Sequence, residues 1–376
     1  MKIMIGLSGG VDSAVAAYLL KEQGHEVICC FMRNWDSMAN NDYLGNPTVD
    51  DDICPQEKDY HDAVLVAKKL NLPMQRVDYV KEYWDNVFTY FLNEYKKGRT
   101  PNPDVFCNKY IKFGPFLEHA KKEGCDMIAM GHYAKRVDKD GKTYLLKAKD
   151  LNKDQSYFLS QISSYQLKSC LFPLGDITKP EVRAIAHKLD LESVEDKKDS
   201  TGVCFIGERN FKEFLKNYIP AKSGDIVDID TNEVIGHHEG VIYYTIGQRK
   251  GLGIGGIKGL PTNGWFVCKK DVQKNILYVG SGSEDKHLFS DSCLIDNINL
   301  FNGPIKDCTH INVKFRYRQK DQGVTLYNVD EKTIRLVFDE KYKAVTPGQI
   351  CVFYDGDICL GGGIIDKVFN GDKQIN

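Results

Sequence analysis

The chain has 376 residues, with 50 Lys plus Arg against 52 Asp plus Glu and a formal net charge of −2. That length fits two or three ordinary domains, each able to bury its own core, and excludes a single small module. The balanced charge excludes a global pull toward nucleic acid, so RNA contact has to come from local basic patches. No apolar run reaches membrane-spanning length and Met1 is followed almost at once by a strand, so a cytoplasmic protein without membrane attachment is expected. Twelve cysteines at scattered spacing, with no Cys-x-x-Cys pair, read as reduced thiols, with no disulfide framework and no metal site.

In chain order, the apolar run Ile3–Leu7 leads into Ser-Gly-Gly-Val-Asp-Ser and a helix over 12–23 closed by Gly24. Val27–Met32, a helix over 57–70, Met74–Val77, helices over 80–97 and 106–123, and Met127–Met130 follow. Strands alternating with helices predict a parallel sheet covered by helices, with ligands beyond the carboxyl ends of its strands. Ser8, Met32 and Gly131 fall at such ends. Alone, Met32 and Gly131 read as a core residue and a turn glycine; beside the loop at Ser8 they can share one pocket.

Segment 36–52, rich in Asn, Asp and Gly, predicts a long loop or flap next to that pocket. A helix over 179–190 follows Lys179-Pro180. From Ile226 the pattern becomes all-β, with short strands predicted at Ile242–Ile246, Trp265–Cys268, Ile276–Val279, Ile311–Tyr317, Val324–Tyr327, Thr333–Phe338 and Ile350–Tyr354. These form two small modules with a seam near 280–285.

A strand ending in Ser8-Gly9-Gly10 and turning into a helix at Asp12-Ser13 presents unpaired backbone amides to an anion. The GxxxxGK[ST] pattern, whose Lys reaches the β and γ phosphates, is absent, and the loop suits pyrophosphate instead. Asp12 is a candidate for metal or ribose contact, and Ser13 adds a hydroxyl. The stretch resembles the PP-loop ATP pyrophosphatase motif, which implies cleavage of ATP between the α and β phosphates and adenylation of a substrate oxygen.

Cys107 falls at the start of a predicted helix, where a thiol pKa drops, with Asp104 three residues before it as N-cap or proton acceptor. A buried helical cysteine beside an ordinary cap accounts for this segment equally well. Cys204 lies in a glycine-bracketed segment, Asp199–Glu208, and on its own reads as core; the other ten cysteines read as small hydrophobes. Lys314–Lys320 alternates cations with aromatics, predicting Lys314, Arg316 and Arg318 on one strand face and Phe315 and Tyr317 on the other. That cationic face suits phosphates or plain solvent.

Six segments taken together, SGGVDS, NPDVFCNKYIKFG (102–114), MGHYA (130–134), KDQSYFL (153–159), DSTGVCFIGER (199–209) and YTIGQRKGLGIGG (244–256), resemble the tRNA-specific 2-thiouridylase family in order and across nearly the whole chain. The resemblance implies a PP-loop, Rossmann-like α/β domain over 1–208, a small mostly-β domain over 209–281 and a C-terminal β-barrel for tRNA over 282–376. It implies thiolation at C2 of wobble uridine 34 in the tRNAs for Lys, Glu and Gln, driven by ATP with Mg²⁺ and without a tightly bound cofactor. Sulfur then arrives as a cysteine persulfide from a sulfur-relay protein or cysteine desulfurase.

By the same resemblance Cys204 carries the persulfide, Cys107 is the nucleophile, Asp104 is the acid/base, and a transient Cys107–Cys204 disulfide forms. Gly6, Leu7, Ser8, Gly9, Gly10, Val11, Asp12, Ser13, Met32 and Gly131 bind ATP. Asn102, Pro103 and Asp104 meet the target base, which has to leave its stack to be reached. His132, Lys153, Asp154, Gln155, Ser156, Arg316, Tyr317 and Gln349 contact tRNA. Ala14 departs from the Ser common at that position, and the 36–52 composition is this chain's own. Another PP-loop adenylating enzyme, or an RNA-binding module with a vestigial loop, stands as the alternative.

Overall fold

The apolar run of strand β1 (Lys2–Gly6) has Ile3, Met4 and Ile5 all wholly buried, as a strand covered on both faces requires. In the computed structural model, which describes residues 1–197, 206–207, 209–254 and 263–375, β1 lies inside a five-stranded parallel sheet. Its companions are β2 (Glu26–Arg33), β3 (Met74–Asp78) and β4 (Met127–Ala129). A hairpin, β5 (Lys135–Lys139) and β6 (Lys142–Leu146), leaves the sheet before β7 (Cys170–Leu171) completes the order β3-β2-β1-β4-β7. Ile3, Ile5, Cys29 and Phe31 pack on the helices Val11–Glu22, Pro55–Lys69 and Lys179–Lys188; Met4, Cys30, Met32 and Ile128 pack on the opposite layer. The order reverses at β1, so the turn after Gly6 occupies the crevice where such sheets bind ligands.

Two predicted helices are interrupted. The 80–97 segment is helical from Val80 to Lys96 but takes a π-helical turn at Trp84–Phe88. The second starts at Pro103 rather than 106, passes through a π turn at Asn108–Lys112, and breaks before the helix Pro115–Lys122. Pro115 has no amide to donate and disfavours helical backbone at Gly114, which accounts for the break.

The 36–52 segment is a loop as expected, but it is docked. Asp42 is wholly buried, accepts from Trp35 Nε1 at 3.0 Å and pairs with Arg209 at 2.8 Å. Asn217 holds Leu44 through both backbone groups, and the Tyr218 hydroxyl donates to Asn40 O at 2.8 Å. The loop thereby ties the parallel-sheet domain to the segment that opens the middle domain.

That middle domain is a four-stranded sheet, β8 (Gly224–Asp228), β9 (Val234–His238), β10 (Trp265–Asp271) and β11 (Ile276–Ser281), in the order β10-β11-β8-β9. The strand expected at Ile242–Ile246 is absent: Val241–Tyr243 is a 3₁₀ turn, and Ile242, Tyr243, Tyr244 and Ile246 are buried as irregular core. A short, fully buried apolar run carries no periodicity to distinguish these outcomes.

The C-terminal strands are β12 (Phe289–Leu300), β13 (Thr309–Lys314), β14 (Gln322–Asn328), β15 (Ile334–Lys343), β16 (Ile350–Asp355), β17 (Ile358–Asn370) and β18 (Lys373–Gln374). The ring β12-β15-β14-β13-β16-β17 closes by pairing β12 with β17, so six strands form a barrel around Val313, Val324, Leu326, Leu336, Phe353 and Ile365. The hairpin β5–β6 adds to this sheet through β6 and β17. Its turn, Asp140-Gly141, is a two-residue hairpin signal that the sequence reading passed over. Among the described residues no helix is long and apolar enough to cross a membrane.

The cation row expected over 314–318 does not form. β13 ends at Lys314, Arg318 turns at φ 64°, and Arg316 points inward. Its Nη2 donates to Ile246 O at 3.0 Å, Ala344 O at 2.7 Å and Thr346 Oγ1 at 2.9 Å, pinning the middle domain to the barrel. Arg316→Ala strands those acceptors, and denaturant titration is expected to show a loss of about 1–3 kcal/mol.

Candidate nucleotide and thiol site

The turn after β1 is built from its own hydroxyls. Ser13 Oγ accepts from Ser8 N at 3.1 Å, lies 3.1 Å from Ser8 Oγ and donates to Gly10 O at 3.0 Å. The helix Val11–Glu22 begins there with Gly10 as N-cap, and first-turn amides have no intrahelical acceptor. Gly9 has φ 72°, and a Cβ on it would stand 2.1 Å from Asp59 O, so the loop lies directly on the helix Pro55–Lys69. Gly131 is as constrained, because a Cβ there would meet Ser13 N at 2.8 Å. Gly6 lies between Met32 and Met130. The ten residues Gly6–Ser13, Met32 and Gly131 therefore converge on one end of the sheet, with Leu7, Val11 and Met32 buried as its floor and Ser8 exposed at its rim.

Asp12 has protein partners. Lys179 Nζ approaches its two oxygens at 2.7 and 2.8 Å, and the Tyr133 hydroxyl donates to Oδ1 at 2.7 Å. Lys197 Nζ props the loop from the other side, donating to Gly9 O at 2.9 Å while pairing with Asp59 at 2.6 Å and Asp62 at 2.7 Å. Burial holds the Asp59 carboxyl above its ordinary range despite that ammonium. The sequence reading missed Lys179, Lys197 and Tyr133. Lys179 enters the sequence analysis only as a helix start and Tyr133 only within the MGHYA segment, neither with a role at the turn.

Around the thiol, Asn102 rather than Asp104 is the N-cap: its Oδ1 accepts from Val105 N at 3.4 Å, with Pro103 opening the helix Pro103–Cys107 and Asp104 in its first turn. Cys107, expected at a helix start, instead closes that helix because Pro103 opens it four residues earlier, and it is wholly buried in the cluster that contains Met32 and Met130. Cys204, with residues 199–205 and 208 of its motif, lies outside the described residues.

The remaining candidates form a partly interior belt. His132 is buried between Phe113 and Phe172, its Nδ1 has no hydrogen-bond partner among the described residues, and burial pushes its pKa well below 6.5. Asp154 is buried and accepts from Ala148 N, Ser156 N and Ser156 Oγ; burial raises its carboxyl pKa, while those bonds and Lys314 oppose the rise. Ser156 Oγ lies 3.1 Å from the Tyr354 hydroxyl. Gln155 exchanges hydrogen bonds with the Tyr133 backbone, and Gln349 Nε2 donates to Thr100 O at 2.8 Å, next to Asn102. Lys153 is half-buried, and Tyr317 packs on Phe158 with ring centroids 4.4 Å apart.

The neutral His132 sets a pH dependence. Its folded pKa lies below the unfolded value near 6.5, so in that window the unfolded chain binds more protons. The stability it contributes is present above pH 6.5 and is lost as pH falls through the folded pKa. Urea midpoints at pH 7.5 and 5.5 are expected to separate more for the native chain than for His132→Gln.

Three family models tile the chain: the tRNA methyl transferase HUP domain over residues 1–208, the tRNA methyl transferase PRC-barrel domain over 212–281 and the aminomethyltransferase beta-barrel domain over 290–365. The tRNA-specific 2-thiouridylase MnmA of Mycoplasma capricolum subsp. capricolum is 56% identical over 375 residues, covering 98% of this chain and 99% of that protein. The protein of the same name from Acholeplasma laidlawii is 52% identical over 376 residues, covering 100% and 99%. A solved 4-thiouridine synthetase–RNA complex with bound ATP aligns at TM-score 0.33 and 14% identity, over 58% of this chain and 46% of that one, too distant to carry an argument. The domain descriptions and the relatives' names point to different chemistries, and end-to-end identity above one half outweighs a domain label. The chain belongs to the tRNA-specific 2-thiouridylase family.

Proposed function

We propose that this protein is an ATP-dependent tRNA-uridine 2-sulfurtransferase acting on the wobble uridine of the tRNAs for Lys, Glu and Gln. One observation carries the reading. In a chain 56% identical from end to end to a named tRNA-specific 2-thiouridylase, a phosphate-accommodating SGGVDS turn and the Asn102–Cys107 segment occupy the same parallel-sheet domain.

ATP lies on the Ser8–Ser13 turn, its phosphates over the first-turn amides, with Lys179 as the nearby cation and Mg²⁺ entering with the phosphates. The C2 oxygen of the flipped uridine attacks the α phosphorus, pyrophosphate leaves, and the oxygen becomes part of a good leaving group. Asn102, Pro103 and Asp104 hold the base, and Asp104 moves the proton.

Cys204 receives its outer sulfur from a persulfide-bearing relay protein or a cysteine desulfurase. Two routes are open: the terminal sulfur adds at C2 and Cys107 then cleaves the S–S bond, or Cys107 attacks the inner sulfur first and the released hydrosulfide adds. Either way AMP is expelled, the C2 oxygen departs with it, and a Cys107–Cys204 disulfide remains, which an external thiol reduces. Lys153, Arg316, Tyr317, His132 and Gln349 belong to the tRNA-facing side, directly or by supporting it. Such an enzyme works in the cytoplasm.

Nucleoside mass analysis tests this. Substrate tRNA incubated with the protein, ATP and a persulfide donor is expected to gain one sulfur-for-oxygen exchange at the wobble uridine, with AMP and pyrophosphate released. Cys107→Ser and Cys204→Ser are each expected to lower thiolation by at least about a hundredfold with ATP and tRNA still bound; undiminished thiolation by either variant overturns the two-cysteine route, and a native protein that releases AMP without thiolating the tRNA returns the chain to another adenylating chemistry. Lys179→Met is expected to raise the KM for ATP about tenfold or more, read from AMP release.

A further inference from the structure

We infer that Tyr133 is a positioning residue that joins the nucleotide turn to the RNA-facing turn at 153–156, so that occupancy of one site is felt at the other. The inference rests on the reading above that ATP binds at Ser8–Ser13 and tRNA at 153–156. Tyr133 is 2% exposed and stands between β4 and β5. Its hydroxyl donates to Asp12 Oδ1 at 2.7 Å. Its backbone meets Gln155 twice: Tyr133 N donates to Gln155 Oε1 at 3.0 Å, and Gln155 N donates to Tyr133 O at 2.7 Å. One side chain thus grips the nucleotide loop, and the same residue's peptide groups grip the other turn.

Neither end has slack. On the nucleotide side, Gly131 lies so close to the loop that a Cβ would stand 2.8 Å from Ser13 N, so the segment leading to Tyr133 rests on the first turn of the helix. On the other side, the buried Asp154 fixes the turn through Ala148 N, Ser156 N and Ser156 Oγ, and Ser156 Oγ reaches the Tyr354 hydroxyl on β16 of the barrel. RNA that shifts the 153–156 turn therefore moves the Tyr133 peptide. A moved Tyr133 changes the partners of Asp12, whose carboxylate also orients the Lys179 ammonium 2.7 Å away. By linkage, the factor by which nucleotide changes RNA binding equals the factor by which RNA changes nucleotide binding.

The test measures the dissociation constant of α,β-methylene-ATP with and without saturating substrate tRNA, and that of the tRNA with and without the analogue. The native protein is expected to show about tenfold mutual tightening, equal in both directions. Tyr133→Phe keeps the packed ring and is expected to bring that factor within about twofold of unity. Tyr342→Phe, which removes a buried barrel hydroxyl donating to Gly323 O at 2.9 Å, controls for loss of a structural hydroxyl and is expected to keep the coupling.

Intact coupling in Tyr133→Phe overturns the inference, as does its loss in Tyr342→Phe. Collapse of either solo affinity in Tyr133→Phe makes the residue a ligand-binding or folding element and overturns it too. A native protein that binds both ligands without coupling refutes this inference alone, whereas one that binds neither refutes the proposed function and the inference together.

Discussion

If the Ser8–Ser13 turn takes a polyphosphate as proposed, a carboxylate at its mouth has to be offset before the anion can approach, and that condition falls on Asp12. The residue suits the first turn of the helix Val11–Glu22, where the macrodipole favours a negative charge, yet the same charge repels a phosphate. Lys179 resolves the conflict at 2.7 Å. Lys179 has the converse difficulty: it opens the helix Lys179–Lys188, where a cation is disfavoured, and it is nearly buried. Each charge is tolerable because of the other. The pair thereby places a compensated, orientable ammonium beside a turn that carries no P-loop lysine of its own. Lys197 performs a similar service behind the loop, where Asp59 and Asp62 would otherwise face the Gly9 carbonyl unbalanced.

The local parts of this arrangement were legible in the sequence. β1, the Ser-Gly-Gly turn and the helix after it depend on residues within about a dozen positions, and pattern alone places them at a strand end. The partner of Asp12 lies 167 positions away, so no local reading could show that its carboxylate meets Lys179. The cap of the thiol helix was legible and misread: Asn102-Pro103 places proline at the first helical position, which makes Asn102 the cap. The cation row over 314–318 failed because alternation holds only while the strand lasts, and the strand ends at Lys314. Ile242–Ile246 failed for a different reason, since a short apolar run specifies burial but not backbone.

The domains are joined through polar contacts that converge on the Asn102–Cys107 segment from behind. Arg99 pairs with Asp366 at 2.8 Å, Thr100 N donates to Pro347 O, and Gln349 Nε2 donates to Thr100 O. The barrel therefore fixes the backbone that leads into Asn102 and Pro103. Arg316 and the docked 36–52 loop also secure the middle domain, through Ile246 O and Asp42 respectively. A barrel displaced relative to the parallel sheet would carry the entry to the thiol helix with it, which makes domain placement part of the site's geometry.

If the KDQS segment meets tRNA as proposed, the same logic separates two kinds of residue within it. A side chain that reads RNA has to be able to reach it, and a side chain that holds the reader in place has to be buried and fully bonded. Asp154 and Ser156 satisfy the second description, with their oxygens committed to Ala148, to each other and to Tyr354. Lys314 and Lys147 extend that support, since both ammonium groups lie near Asp321 and over the Tyr354 ring. His132, neutral and enclosed by Phe113 and Phe172, belongs with them. Lys147 and Lys314 are committed to carboxylate neighbours whereas Arg318 and Lys320 stay exposed, so on the proposed reading contact with RNA depends on where such cations are held.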